Sequence, residues 1–128
     1  MENNDKAMLM REIGARIPYG VKAYGFEGEN TITGVDANCV CIDGTWYPIE
    51  SVKMYLRPME CMTDVERVEW RNRFMSELIE SVHDTDRADE HIAAAHAMSL
   101  AYLDSRHLDH SGLIGKGAAV IAPSWIYR

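Results

Sequence analysis

The sequence predicts an α+β fold. Between Tyr19 and Pro58, short β-type runs alternate with turn signals, a period-two pattern. From Thr63 onward the apolar residues recur at the helical period instead. The chain has 128 residues, 47% of them hydrophobic, which suits a single compact domain. The expected organisation is an N-terminal helix within 1–17, a β unit over 18–60 and a helical half over 61–128.

Asp5 to Ala15 reads as a short helix, with Leu9 and Ile13 on one face. The polar residues Met1 to Asp5 are expected to fray. Ile17-Pro18 ends the helix, because the residue before proline avoids helical backbone angles. Tyr19 to Phe26 then reads as a strand, turned by Glu27-Gly28-Glu29-Asn30, and Thr31 to Val35 follows. Asp36-Ala37-Asn38 turns into Cys39-Val40-Cys41-Ile42, and Asp43-Gly44 leads to Thr45–Ile49. Asp-Gly between two β-type runs signals a type I′ hairpin, which needs two residues at positive φ.

That turn sets a register: Ile42 opposite Thr45, Cys41 opposite Trp46, Val40 opposite Tyr47. Both faces of the hairpin are then apolar, so it is either covered on both sides or presents a sticky patch. We expect the helical half to pack on the Cys41–Trp46 face. Pro48 marks an edge or a strand end. A tight turn over Glu50-Ser51-Val52 precedes a last run, Lys53 to Arg57, stopped by Pro58. Four strands, a short turn and a fifth strand make the order of an SH3-like five-stranded antiparallel unit, an analogy of fold alone.

Thr63-Asp64-Val65-Glu66 is a capping box, and the helix it opens should reach about Val82. At 3.6 residues per turn, Val68, Met75, Leu78, Ile79 and Val82 share one arc, which predicts its buried face. A second helix starts near Asp86, its acidic first turn suiting the positive end of the helix dipole. It continues through Ile92, Ala95, Met98, Ser99, Tyr102 and Leu103. Asp109 is expected to cap a short third helix, Ser111 to Lys116, closed by Gly117. Ala118 to Pro123 reads as extended, with Trp125 and Tyr127 docking the tail.

The formal charge is −7, from 20 acidic and 13 basic residues. Such a surface disfavours direct nucleic-acid binding, although an acidic protein can occupy another protein's nucleic-acid site. Three cysteines, Cys39, Cys41 and Cys61, do not form a disulfide framework and suit a reducing cytoplasm. No signal peptide and no membrane-length apolar stretch is read.

His107-Leu108-Asp109-His110, with Asp104 one turn earlier and His96 upstream, is the main metal candidate; such a set suits zinc or iron. Its spacing matches no signature, and Asp109 competes as a cap. Cys39-x-Cys41 lacks a full ligand set and reads as small hydrophobes. A Ser111–His110–Asp109 triad is set aside, because adjacent residues are not expected to aim at one another. No catalytic residue and no cofactor is assigned. Among the aromatics of the β unit, Trp46, Tyr47 and Tyr55 are the candidate contact residues for a protein partner.

Several blocks together resemble a family: Ile17-Pro18-Tyr19-Gly20-Val21-Lys22, Trp46-Tyr47-Pro48-Ile49-Glu50-Ser51-Val52-Lys53, Tyr55-Leu56-Arg57-Pro58-Met59 with Met62-Thr63, and Tyr102-Leu103-Asp104 with Gly112–Gly117 and Ala122-Pro123. They resemble small proteins, with no assigned activity, encoded in phages and mobile elements of gut Bacteroidetes. Met54 and His110 depart from that pattern, which often has proline and an aromatic residue there. The resemblance implies a bacterial cytoplasm and a phage-related setting. The expected function is a non-enzymatic accessory or regulatory module that binds a host or phage protein. The alternatives are a small metal-dependent or His/Asp hydrolase, and an acidic decoy of a nucleic-acid-binding protein.

Overall fold

A computed structural model describes residues 3–25 and 30–127. The fold is α+β, with three α-helices and two three-stranded sheets among the described residues. Helix α1 spans Asn3–Arg16 and gives way to a 3₁₀ turn, Ile17–Tyr19, at Pro18. The expected fraying falls partly outside the described residues (Met1 and Glu2), while Asn3 to Asp5 are helical.

The strands are β1 (Ala23–Tyr24), β2 (Ile32–Asp36), β3 (Cys39–Ile42), β4 (Thr45–Pro48), β5 (Lys53–Leu56) and β6 (Ala119–Ile121). Most of the expected Glu27–Asn30 turn lies outside the described residues. β2, β3 and β4 form an antiparallel meander. The hairpin has the expected register, Cys41 opposite Trp46 and Val40 opposite Tyr47, and Asp43 and Gly44 hold φ of 52° and 83°. The second sheet is β1-β5-β6, antiparallel between β1 and β5 and parallel between β5 and β6.

These strands do not close into one barrel. Among the described residues one antiparallel bridge, Lys22 to Thr31, ties the sheets, with hydrogen bonds Ala23 N to Asn30 O and Ile32 N to Val21 O. β6, from the stretch expected to belong with the helices, instead extends the β1-β5 sheet.

The main core lies between α1 and the sheets and contains Leu9, Ile13, Val21, Ile32, Val40 and Met54. The expected cover of the Cys41–Trp46 face by the C-terminal helices is not what forms. α1 packs against β2, and the indole of Trp46 lies over Gly34, where an added Cβ would sit 3.3 Å from the ring. The missing Gly34 side chain leaves room for the hairpin to shield its own flank.

α2 (Asp64–His83) starts with the capping box in full: Glu66 N donates to Thr63 Oγ1, and Thr63 N donates to Glu66 Oε1. α3 spans Ala88–Ser105 and packs back on α2 as a hairpin. A smaller core of Met62, Tyr102, Leu103 and Leu108 roots the hairpin in the body. The expected third helix at Ser111–Lys116 is absent; the segment is a run of turns. Asp109 still acts as the anchor, accepting from Leu113 N and Ile114 N, and Gly117 sits at φ 75°. Three glycines within Gly112–Gly117 favour turns over helix.

Arg16, 0% exposed, joins α1 to the end of α3 and the turn after it. Its Nη1 donates to the carbonyl and carboxylate of Glu12, and its Nη2 donates to Leu108 O and lies 3.4 Å from Asp104 Oδ1. Removing the cation strands two carboxylates in a dry site. Arg16→Met is expected to lower stability by about 3–5 kcal/mol in chemical denaturation. Arg16→Lys should recover little of it, because an ammonium cannot reproduce the planar fork.

Candidate functional site

The histidine–aspartate set divides in space. His96 lies exposed on α3, beside the groove between the two long helices. His107 follows the end of α3, where its φ of 59° turns the ring onto Tyr127, with centroids 3.6 Å apart and planes 8° apart. Of the four candidates only Asp104 and His110 meet, with His110 Nε2 2.7 Å from Asp104 Oδ1. Glu12 joins them from α1, a partner about a hundred residues away that no local pattern reveals.

Glu12, Asp104 and His110 place ligand atoms within 4.8 Å of one another, the spacing of a metal site. The Arg16 guanidinium already supplies the positive charge there, 2.8 Å from Glu12 Oε2. A divalent cation would have to share a buried site with it, at a large electrostatic cost. Burial raises the Glu12 pKa, but the hydrogen bonds from Arg16 and Ser111 and the nearby charges outweigh it, so the net shift is downward.

Ser111 Oγ does lie 3.2 Å from His110 Nδ1, contrary to the expectation that neighbours cannot aim at one another. The acid behind that histidine is Asp104, not Asp109. Ser111 nevertheless donates its proton to Glu12 Oε1 at 2.7 Å. A hydroxyl held by a carboxylate is not presented to a substrate, so the network is an ion-pair hub that locks α1 to the C-terminal turns.

Of the aromatic candidates, Trp46 on β4 is 52% exposed. Tyr47, one residue on, packs against the main core. Tyr55 lies in the other sheet, edge-on to Tyr24 at 5.6 Å, and its carbonyl accepts from Tyr127 Oη. The three belong to two sheets, and only Trp46 presents a large exposed ring.

A row of exposed apolar side chains runs along α2. Four of the five residues expected to form its buried face point to water: Val68, Met75, Ile79 and Val82 are 44 to 72% exposed, Val65 lies with them, and Leu78 is half-buried. The inward face of α2 is held instead by polar contacts. Trp70 Nε1 donates to Ser99 Oγ, Tyr102 Oη donates to Glu69, and the Arg73 guanidinium sits 4.5 Å over the Tyr102 ring. His91 is bracketed by Glu77 and Asp84, whose hydrogen bonds raise its pKa. Beside these contacts an apolar groove of about 620 Å³, including Met62, Trp70, Phe74 and Leu103, opens between the helices.

At the hairpin's root Glu66 accepts from both Nη atoms of Arg57 and from Arg106 Nε. The Arg57 hydrogen bonds come first among the causes that pull its pKa far below the usual carboxylate range. His107 titrates near 4 rather than 6.5, first because it is buried and then because Arg16, Arg57, Arg106 and Lys22 surround it.

These shifts set the acid response. Glu66 and Glu12 bind protons more readily in the unfolded chain, so their contribution is full above pH of about 5 and is lost as pH falls through the carboxylate range. His107 adds a destabilising term that begins below 6.5, where the unfolded imidazole takes up a proton, and levels off below about 4. Denaturation midpoints measured across this range are expected to fall as pH drops below about 6.5, where His91, whose pKa is raised, is already charged in the fold and no longer offsets the other terms. His107→Asn should remove the upper part of the fall, and Glu66→Gln should cost about 2–3 kcal/mol at neutral pH.

The chain matches no protein-family model, no curated protein and no solved structure.

Proposed function

We propose that this chain is a non-enzymatic accessory module that binds another protein through the outward face of α2. One observation carries the reading. Val65, Val68, Asn72, Met75, Ile79 and Val82 repeat at alternating intervals of three and four residues, and all six are exposed. That is a coiled-coil seam, with Val65, Asn72 and Ile79 at a positions and Val68, Met75 and Val82 at d positions. An apolar seam of this length is stabilised only when a second helix covers it.

The flanks of the seam favour a foreign helix over a second copy. Parallel self-pairing sets Asp64 against Glu69 of the copy, a like-charge contact that a partner helix with basic flanks avoids. The partner helix therefore carries basic residues opposite Asp64 and Glu69, and a polar residue opposite Asn72. The phage-related setting and bacterial cytoplasm come from the family resemblance. The strands serve as the scaffold, read as an open SH3-like unit. The antiparallel pairing of β1 with β5, the bridge from β1 towards β2, the β2-β3-β4 meander and the 3₁₀ turn Ile49–Ser51 before β5 all support that. Trp46 offers a second, smaller contact.

The acidic decoy remains a second reading, favoured by Glu77, Glu80, Asp84, Asp86, Asp89 and Glu90 around the far end of the hairpin. It calls for salt-sensitive binding that does not need the seam.

Val68→Glu/Ile79→Glu replaces side chains already in water, so its stability is expected within about 1 kcal/mol of wild type. Wild type should retain host proteins that crosslink at Met75, and the double variant should lose them. Unchanged capture by the folded variant would refute the seam as the binding surface. A wild-type dimer dissolved by the variant, seen by light scattering, would place a second copy there instead.

A further inference from the structure

A pocket of about 400 Å³ lies where the end of α3 meets the sheet and the C-terminal tail, bounded by Tyr19, Lys22, Arg57, Arg106, His107 and Tyr127. Its size falls within the range of small-molecule sites. Its charge runs against that of the chain. A protein of net charge −7 gathers three cations here. Glu66 is the carboxylate that meets the two arginines, so two guanidinium groups share one negative charge.

The donors are unequally used. Both Nη groups of Arg57 are taken by Glu66 and by the carbonyls of Cys61 and Arg106. Arg106 gives only Nε to Glu66, and its side chain is 50% exposed. Lys22 Nζ spends one hydrogen on Thr31 Oγ1. Arg106 and Lys22 therefore keep donors for a guest.

His107 adds a second, independent observation. It ends α3 in the left-handed region, a place glycine fills without strain. The chain puts a ring there, stacks it on Tyr127, and leaves Nδ1 buried without a hydrogen-bond partner. Burial and the surrounding cations keep that ring neutral. An uncharged imidazole strained into place between cations marks a site short of negative charge.

We propose that this pocket binds an oxyanion, a phosphate or carboxylate group carried by a small molecule, with Arg106 and Lys22 as its charged donors and His107 beside it. Arg57 positions Arg106 through their shared Glu66 and does not itself need a free donor. The bound anion would offset the cations facing His107: Arg16 from α1, Lys22 next to β1, Arg57 after β5 and Arg106 on its own segment.

The test is an NMR titration of the full-length protein with inorganic phosphate and, separately, with succinate, at constant ionic strength set by sodium chloride. Saturable shifts of the His107 ring at millimolar ligand are expected, together with a rise of its pKa. Lys22→Gln and Arg106→Gln should each weaken binding about tenfold, the loss of one charge-assisted hydrogen bond. Lys53→Gln, an exposed lysine on β5, should not change it. His107→Asn keeps a residue that tolerates positive φ and should weaken binding without unfolding the chain. Saturation by phosphate alone assigns a phosphate group, and saturation by both assigns a general oxyanion site. Saturation by neither, or equal binding by the Lys22 and Arg106 variants, overturns the proposal.

Discussion

The structure depends on one buried cation. Arg16 closes α1 and carries its charge into a site sealed by the end of α3 and the turns beyond it. Glu12 and Asp104 neutralise it, His110 and Ser111 hold those two carboxylates in turn, the Leu108 carbonyl accepts from Nη2, and Nε alone is left buried without a partner. Desolvating so many charges is costly unless every partner is in place, so the hub makes the arrangement of chain ends close to all-or-none. The N-terminal helix, the end of the helical hairpin and the C-terminal turns all contribute to it. From that junction the chain passes on to β6, which completes the β1-β5 sheet.

A second cluster, at the root of the hairpin, does related work with water nearby. Glu66 is at once part of the α2 capping box and the acceptor for Arg57 and Arg106. One carboxylate thus joins the start of α2, the end of β5 and the end of α3. Its position leaves the neighbouring pocket with more positive than negative charge, although the chain as a whole is acidic.

The hairpin shows why amphipathicity alone does not say which way a helix faces. α2 has a clear apolar stripe, yet Trp70, Phe74, Glu77 and Ser81 lie on the side nearer α3. Hydrogen bonds from Trp70 and Tyr102 and a cation–π contact fix that side. The stripe is left over, which is reasonable for a surface kept for another molecule and costly for a surface with no such use.

Local chemistry alone settled much of this protein. Asp43-Gly44 set the hairpin register because only a few residues accept two positive φ angles in a row. Thr63 and Glu66 set the start of α2 because each satisfies the other's backbone N–H. Pro18 ended α1, and Leu9 with Ile13 marked its buried face. Other features were decided by contacts between distant residues, which leave no periodic trace. Glu12 reached Asp104 and His110, β6 paired in parallel with β5, the sheets stayed open rather than closing into a barrel, and α2 turned its stripe outward. The third helix failed for the converse reason: Asp109 supplied a cap, but the glycine-rich stretch after it preferred turns to a helix.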